Sequence, residues 1–272
     1  MNTWSRSQYQ ELPLQQLHYL VIFGNIDESL PPLDSLRYRS TGLPEGIELE
    51  FASREESPEL WDQFQKGPAW ELFCESAPTI VDAIKNSPTC VIARGQIADS
   101  DSLEPLGNVV GIITSLLDSG GVVVYDILTA TWFDSLNWKM SVFEPGLEGL
   151  AKLVVVQQES ENHDESWIYT RGMRRFARPD ISFRNVPSDA TAEAELLVQF
   201  LTYCMMDGAV IPDGKELVFK DLRPTFSVAS PVKIRCTLAG SLDDPHFFNF
   251  FLQVAIVSGT SHPSTSADPP SS

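Results

Sequence analysis

Basic residues are scarce in this sequence, which has 19 Lys and Arg against 37 Asp and Glu and a formal net charge of −18. The deficit lies in residues 1–170, which contain 9 basic and 26 acidic residues, whereas residues 171–272 contain 10 and 11. An acidic surface repels phosphate backbones, so nucleic-acid binding is disfavoured. The surplus of carboxylates serves solubility, and it also suits the docking of a basic protein partner.

Cysteine and histidine are also rare, with four of each. The cysteines are widely scattered and form no C-x-x-C pair, so we expect buried, reduced thiols rather than disulfides or a metal site. No two histidines stand at ligand spacing, which argues against zinc. The sequence therefore predicts neither a metal nor a cofactor.

Long apolar runs are absent as well. No run approaches the roughly 20 residues that span a bilayer, and residues 1–13 lack the basic and apolar regions of a signal peptide. We expect a cytoplasmic protein without membrane contact. The Ser- and Pro-rich residues 259–272 are expected to be a disordered tail.

The common phosphate-binding and nucleophile motifs are missing: there is no G-x-x-x-x-G-K-[ST], no G-x-G-x-x-G and no G-x-S-x-G. Ser119, in "LDSGG", is better explained by the end of a helix than by a nucleophile. Asp243, Asp244 and His246 could form an acid–base site or a weak metal site, but "DDPH" before an aromatic strand favours a turn. Whether the protein is an enzyme is left open.

The apolar patterns predict an α+β protein. Strand-like runs occur at 18–23, 47–52, 89–97, 121–127, 150–158, 166–170, 181–186, 216–220, 232–239 and 247–257. Long helices are predicted over 102–120 and 191–209, and shorter ones over 57–66 and 78–86. We expect mixed, largely antiparallel sheets with helices packed on one face.

A strand–helix–strand unit recurs along the chain, because each long helix follows a strand and ends at an Asp shortly before a glycine. Two interpretations are open: two related, ferredoxin-like halves, or a common way to end a helix and enter a sheet. The predicted units are an acidic half over residues 1–149, a second half over 150–258 and the tail.

The stretch "YTRGMRRFARPD" (169–180) gathers positive charge in this acidic chain. On a helix, Arg171, Arg174, Arg175 and Arg178 would share one face, and their mutual repulsion requires anions among them. Those anions could be the protein's own carboxylates, which would make the cluster a clamp between the two halves. They could equally be an external carboxylate or phosphate, with Asp180 orienting the arginines.

The run "WIYTRGMRRFARPDISFRNVP", followed by a helix and "DGAVIPDGKELVF", resembles a family of uncharacterised, mostly bacterial proteins that share a domain of unknown function. The likeness covers most of residues 15–258, and its specific part is 170–220. It implies a soluble α+β protein and no particular activity. In the family pattern a glycine often follows the aromatic residue, whereas this chain has Ala177.

Two functions are consistent with these observations. The leading expectation is a cytosolic, non-enzymatic interaction or regulatory protein whose acidic face docks a basic partner. The alternative is an enzyme or binding protein for a small carboxylate or phosphate at the arginine run 171–178 with Asp180.

Overall fold

The computed structural model describes residues 4–28, 33–219, 232–244 and 247–257. These residues form an α+β fold with two β-sheets, as predicted. The strands are β1 (Gln15–Gly24), β2 (Ile47–Ser53), β3 (Thr89–Ala98), β4 (Gly121–Asp126), β5 (Thr131–Asp134), β6 (Val155–Ser160), β7 (Glu165–Arg171), β8 (Asp180–Pro187), β9 (Lys215–Phe219), β10 (Val232–Gly240) and β11 (Phe250–Ile256). The α-helices are α1 (Ser35–Tyr38), α2 (Pro58–Phe64), α3 (Pro68–Ser76), α4 (Pro78–Lys85), α5 (Glu104–Asp118), α6 (Ser135–Asn137), α7 (Leu147–Leu150) and α8 (Thr191–Met206). The predicted tail, 259–272, lies outside the described residues.

The first sheet is antiparallel, with the order β2-β3-β1-β4-β5 and β1 at its centre. Successive side chains of a strand point to opposite faces. Leu20 and Ile22 of β1 therefore pack in one apolar layer with α5, while Val21 and Phe23 pack with α2, α3 and α4. Helices cover both faces of this sheet rather than one, as the unbroken apolar run "LVIF" at its centre requires.

Helix α5 packs against β1 and β4 of the first sheet. The six residues of α5 that were predicted to face the core are at most 4% exposed: Leu106, Val109, Val110, Ile113, Leu116 and Leu117. The chain leaves the helix through Gly120, whose φ is 116°. A Cβ at this position would lie 2.2 Å from the carbonyl oxygen of Asn25, so only glycine fits the turn into β4.

The second sheet is mixed, with the order β6-β7-β8-β11-β10-β9. Strands β8 and β11 are parallel, and the other neighbours are antiparallel. Helix α8 contacts β7 and β8. The strand–helix–strand unit is present in both halves, as β3–α5–β4 and β8–α8–β9, but the strand orders of the two sheets differ.

One apolar core joins the two sheets, since a single cluster includes Leu20 and Val124 of the first sheet and Ile181 and Leu252 of the second. A second cluster lies beneath α2 to α4 and contains Trp61. The sheets are thus packed on shared apolar residues.

The sequence predicts a strand over 150–158, but in the structure only the later part of this range is a strand. Helix α7 and a 3-10 turn (Ala151–Leu153) occupy its first part, and β6 begins only at Val155. Leu150 and Leu153 are both fully buried. Residues three apart share a face in a helical turn but not in a strand, so burial of both leucines favours the turn. Strand β5 and helix α3 are further elements that the sequence patterns missed.

Helices long and apolar enough to cross a membrane are absent from the part of the chain that the structure describes.

Candidate functional site

The arginine run lies where the chain reverses between β7 and β8. Only Met173–Phe176 is helical, as one 3-10 turn, bounded by Gly172 with φ 106° and Ala177 with φ 52°. Both bounding residues are in the left-handed region, which ends a right-handed helix. A continuous helix over 171–178 with the arginines on one face therefore does not form, and the four guanidiniums have different surroundings.

Arg175 forms a two-pronged ion pair with Asp126, at the end of β4. Its Nη1 lies 2.8 Å from Oδ2 and its Nη2 lies 2.7 Å from Oδ1. Nη1 also donates to the carbonyl oxygen of Leu153. Neither charged side chain has exposed surface, and the two parallel hydrogen bonds offset the cost of burying both charges.

Arg178 shares the carboxylate of Asp99 with Arg6, from the N-terminal segment. The ion-pair distances are 2.8 Å for Arg178 and 2.6 Å for Arg6, and all three side chains are at most 2% exposed. Arg178 also donates to four carbonyl oxygens, those of Gln10, Ala177, Gly208 and Ala209. Together these bonds use all five N–H donors of its guanidinium, so Arg178 has none left for a ligand.

Arg171 and Arg174 lie further out. Arg171 donates to the carbonyl oxygen of Leu128, and its guanidinium lies 5.4 Å from the centre of the Phe247 ring. Arg174 donates from Nε to the carbonyl oxygen of Gln15 (2.9 Å) and from Nη1 to that of Phe248 (3.1 Å). Arg174 also lines a hollow at the surface.

Asp180 is fully buried at the start of β8. Its carboxylate accepts hydrogen bonds from the Thr170 hydroxyl (2.9 Å), the Met173 amide (3.2 Å) and the Asn249 side chain (2.7 Å). Burial raises the pKa of Asp180 to about 6, while these hydrogen bonds and the charge of Arg171 act in the opposite direction. Asp180 thus organises the chain reversal rather than orienting guanidiniums through hydrogen bonds.

The geometry favours the internal clamp for two of the four arginines, because Arg175 and Arg178 pair with carboxylates of the first half. Their partners, Asp126 and Asp99, and the additional arginine, Arg6, were not identified from the sequence. Asp126 carried a signal, since it is an acidic residue at the end of the apolar strand "GVVVYD". Asp99 and Arg6 stand among polar residues, and no local pattern sets them apart.

A surface groove of about 710 Å³ lies elsewhere, between the two sheets. It is lined by Thr131 and Phe133 of β5, residues 154–156 at the start of β6, and Tyr203 of α8. Strands β5 and β6 are edge strands of their sheets. An edge strand presents backbone N–H and C=O groups that can pair with another chain.

The helical layer α2–α4 of the first half has an acidic surface. Its exposed charged residues are five carboxylates and two lysines (Glu59, Asp62, Glu71, Glu75, Asp82, Lys66 and Lys85), and the exposed Glu55 and Glu56 directly precede it. Leu72 is the large apolar residue exposed on this layer, at 67%. The layer therefore offers charge but little apolar contact area.

Other candidate groups have structural roles or are isolated. The segment at Asp243 and Asp244 is a turn, as favoured by its sequence, in which Asp244 accepts from the amide of Phe247; His246 lies outside the described residues. Cys90 and Cys236 are buried thiols and Cys74 and Cys204 are partly buried, all without disulfides. In the described part of the chain, no three His, Cys, Asp or Glu side chains are grouped to hold a metal.

Comparisons with protein-family models, with curated proteins and with solved structures found no match to this chain.

Proposed function

We propose that the protein is a non-enzymatic interaction protein that docks a basic, extended segment of a partner in the groove between β5, β6 and α8. The observation that carries the proposal is the solvent face of α8. Leu196, Phe200 and Tyr203 are 59%, 56% and 52% exposed, and their spacing aligns them along one side of the helix.

Helix α8 is apolar on both sides, because Leu197, Leu201 and Met205 on its inner side are at most 2% exposed. Apolar residues on both the inner and the outer side are typical of a helix that is covered on both sides; on α8 the outer side also has the exposed polar pair Glu195 and Gln199. The exposed apolar row on α8 extends into the groove, because Tyr203 is one of the residues that line it. Leu136 and Met140 are 67% and 68% exposed, and each is adjacent in sequence to a groove residue, Asn137 or Ser141. This apolar surface supports a protein contact.

An extended occupant suits the groove because two edge strands line it. A partner strand would form main-chain hydrogen bonds with β6, and its alternate side chains would contact the valines at 154–156 and Tyr203. The partner's charge is inferred from the formal charge of −18 and from the acidic helical layer, which act from outside the groove, since the groove lining contains Lys152 and no carboxylate. These carboxylates would attract a segment rich in Lys and Arg and repel acidic ones.

A library of displayed peptides, selected on the immobilised protein, tests this proposal. We expect enrichment of peptides that alternate apolar residues with Lys or Arg. Their binding should be lost in Phe200→Asp combined with Tyr203→Asp. Hydrogen exchange should show protection of β6 amides when such a peptide is bound.

Leu72→Asp is the matched control, since it adds a carboxylate at an exposed leucine of the acidic layer, outside the residues that line the groove. Peptides that bind the Phe200→Asp, Tyr203→Asp protein as tightly as the Leu72→Asp protein would contradict the proposal. So would a selection that yields no alternating apolar and basic pattern.

A further inference from the structure

Arg174 differs from the two clamp arginines, Arg175 and Arg178, because it has no counter-ion in the part of the chain that the structure describes. It is 7% exposed, yet among the described residues no carboxylate lies within 4 Å of its guanidinium, and its hydrogen bonds go to two backbone carbonyls. Burial alone lowers the pKa of Arg174, but a guanidinium stays charged in proteins. A largely buried charge of this kind is costly unless an anion compensates it.

The hollow beside Arg174 could admit such an anion. It has a volume of about 710 Å³ and is lined also by Gln15, Leu17 and Gln96. Asp243 is the one carboxylate in this lining, and it is not within ion-pair distance of Arg174. Asp243 would repel an anion in the hollow, and it would repel a dianion more strongly than a monoanion. The hollow therefore suits a monoanion better than a dianion.

An apolar cavity of about 320 Å³ adjoins this hollow, and the two share Pro13, Leu14 and Leu242 in their walls. Its other walls include Leu12, Met205, Ile211 and Phe250, together with one carboxylate, Asp213, which accepts a hydrogen bond from the Leu238 amide. Arg178 also lines the cavity, but its five donors are already used by the protein. The cavity volume lies at the lower end of the range for small-molecule sites, and apolar walls favour an apolar ligand body.

The arginine run itself holds the segment with Pro13 and Leu14, which lines both spaces. Arg178 binds the carbonyl oxygen of Gln10 (2.8 Å), before this segment, and Arg174 binds that of Gln15, directly after it. Residues 11–14 are therefore fixed at both ends by the cluster. This arrangement gives the clamp a second consequence, since it positions residues that line both the apolar cavity and the hollow that contains Arg174.

We propose that Arg174 and the adjoining apolar cavity form a binding site for a small monocarboxylate with an apolar body. The carboxylate would pair with the Arg174 guanidinium through charge-assisted hydrogen bonds, and the apolar body would fill the cavity. Of the four arginines in the run, this proposal assigns ligand binding to Arg174 alone. The proposal does not depend on the function proposed for the groove at α8.

Isothermal titration calorimetry with octanoate tests the proposal. Octylamine, which has the same apolar chain and a positive charge, tests the need for an anion, and inorganic phosphate tests the need for an apolar body. Octanoate should bind, and octylamine and phosphate should not. Arg174→Gln should weaken octanoate binding by about 10- to 100-fold, the range expected for a lost hydrogen bond to a charged group. Ala209→Phe, which fills the cavity and keeps the guanidinium, should abolish it.

Arg184→Gln is the matched control, because Arg184 is an exposed arginine of β8 that pairs with Glu161 and lines neither the hollow nor the cavity, and its loss should leave octanoate binding unchanged. Circular dichroism checks folding. If Arg174→Gln does not fold, Ala209→Phe and the octylamine comparison still decide the question. Absence of octanoate binding at about 1 mM, equal binding of octanoate and octylamine, or full binding by Ala209→Phe would overturn the proposal.

Discussion

Arg175 and Asp126 form an ion pair that has no solvent-exposed surface on either side chain, with N···O distances of 2.8 and 2.7 Å. The pair joins the chain reversal before β8 to the end of β4, 49 positions earlier in the sequence. It therefore connects the second sheet to the first with a charged contact inside an apolar core. Among the described residues neither charge has another partner of opposite sign within 4 Å, so this contact adds specificity of arrangement.

Neutralising Asp126 should be strongly destabilising. In Asp126→Asn the Arg175 charge stays buried without its counter-ion, and we expect a loss of about 3–5 kcal/mol in the free energy of unfolding, measured by urea denaturation. Glu216→Gln is the control, because Glu216 pairs with Arg235 at the surface (side chains 44% and 56% exposed) and such pairs contribute below about 1 kcal/mol. Equal losses in the two variants would contradict this account.

Asp99 should hold the N-terminal segment in place. Asp99→Asn removes the charge shared by Arg6 and Arg178 and leaves their mutual repulsion, which already lowers the pKa of Arg6 after the larger effect of burial. The amides of Gln8 and Gln10, bonded to the carbonyls of Asp207 and Gly208, should then exchange hydrogen faster.

The matched control for this prediction is Asp118→Asn. Asp118 also pairs with two cations, Arg37 and Lys139, but in a more exposed setting. Its loss should leave exchange at Gln8 and Gln10 unchanged. The clamp role of Asp99 would be refuted if both variants exchanged at the wild-type rate there.

Much of the fold follows from local pattern. The run "LHYLVIF" has the β-branched and aromatic content of a buried strand, and α5 has apolar residues at helical spacing, so both were predicted near their observed bounds. Residues 150–154 were misassigned because their apolar composition fits a strand and a buried turn equally well. The burial of both Leu150 and Leu153 favours a helical turn over a strand at these positions. This burial depends on contacts with residues that are far away in the sequence.

The candidate site was predictable only in part. The spacing of Arg171, Arg174, Arg175 and Arg178 fits one face of a helix, but positive φ angles at Gly172 and Ala177 end the helix after one turn. Asp126 and Asp99, the partners of Arg175 and Arg178, lie 49 and 79 residues earlier in the sequence. Pairings over such distances are set by the packing of the sheets, which no local pattern encodes.

Gly172 should not tolerate a side chain. Its φ is 106°, and a Cβ would lie 2.4 Å from the carbonyl oxygen of Leu153. Gly172→Ala should therefore lower the melting temperature, with a loss of more than about 2 kcal/mol from strain and steric conflict. Ala177→Gly is the comparison, since Ala177 also has a left-handed conformation (φ 52°) that glycine adopts without strain. We expect Ala177→Gly to stay within about 1 kcal/mol of the wild type; a larger loss there than in Gly172→Ala would contradict the argument.

Asp180 should make the protein less stable as the pH rises from 4 to 6. Its pKa is raised from 3.8 to about 6 in the folded state, so the folded protein binds the proton more tightly than the unfolded chain does. This contribution to stability is complete below pH 4, declines by up to about 1.4 kcal/mol per pH unit as the pH rises toward 6, and is constant above that. The difference in unfolding free energy between wild type and Asp180→Asn, followed over this range, should show the decline. A pH-independent difference would exclude it.

His18 should have the opposite effect. Its side chain is fully buried on β1, and in the described part of the chain neither ring nitrogen has a hydrogen-bond partner. Burial, together with the nearby charge of Arg175, lowers the pKa of His18 from 6.5 to about 3. The unfolded chain therefore binds the proton more tightly, so stability is complete above pH 6.5 and is lost as the pH falls toward 3.

Replacing His18 by Phe, a ring that cannot titrate, should remove this loss. The unfolding free energy of wild type relative to His18→Phe should fall by up to about 1.4 kcal/mol per pH unit between pH 6 and 4. Because Asp180 acts in the opposite direction over the same range, the wild type alone should show a shallow dependence. The double variant, His18→Phe with Asp180→Asn, separates the two effects, since each single variant then differs from it by one titrating group. If wild type and His18→Phe lose stability in parallel on acidification, His18 is not the buried neutral base described above.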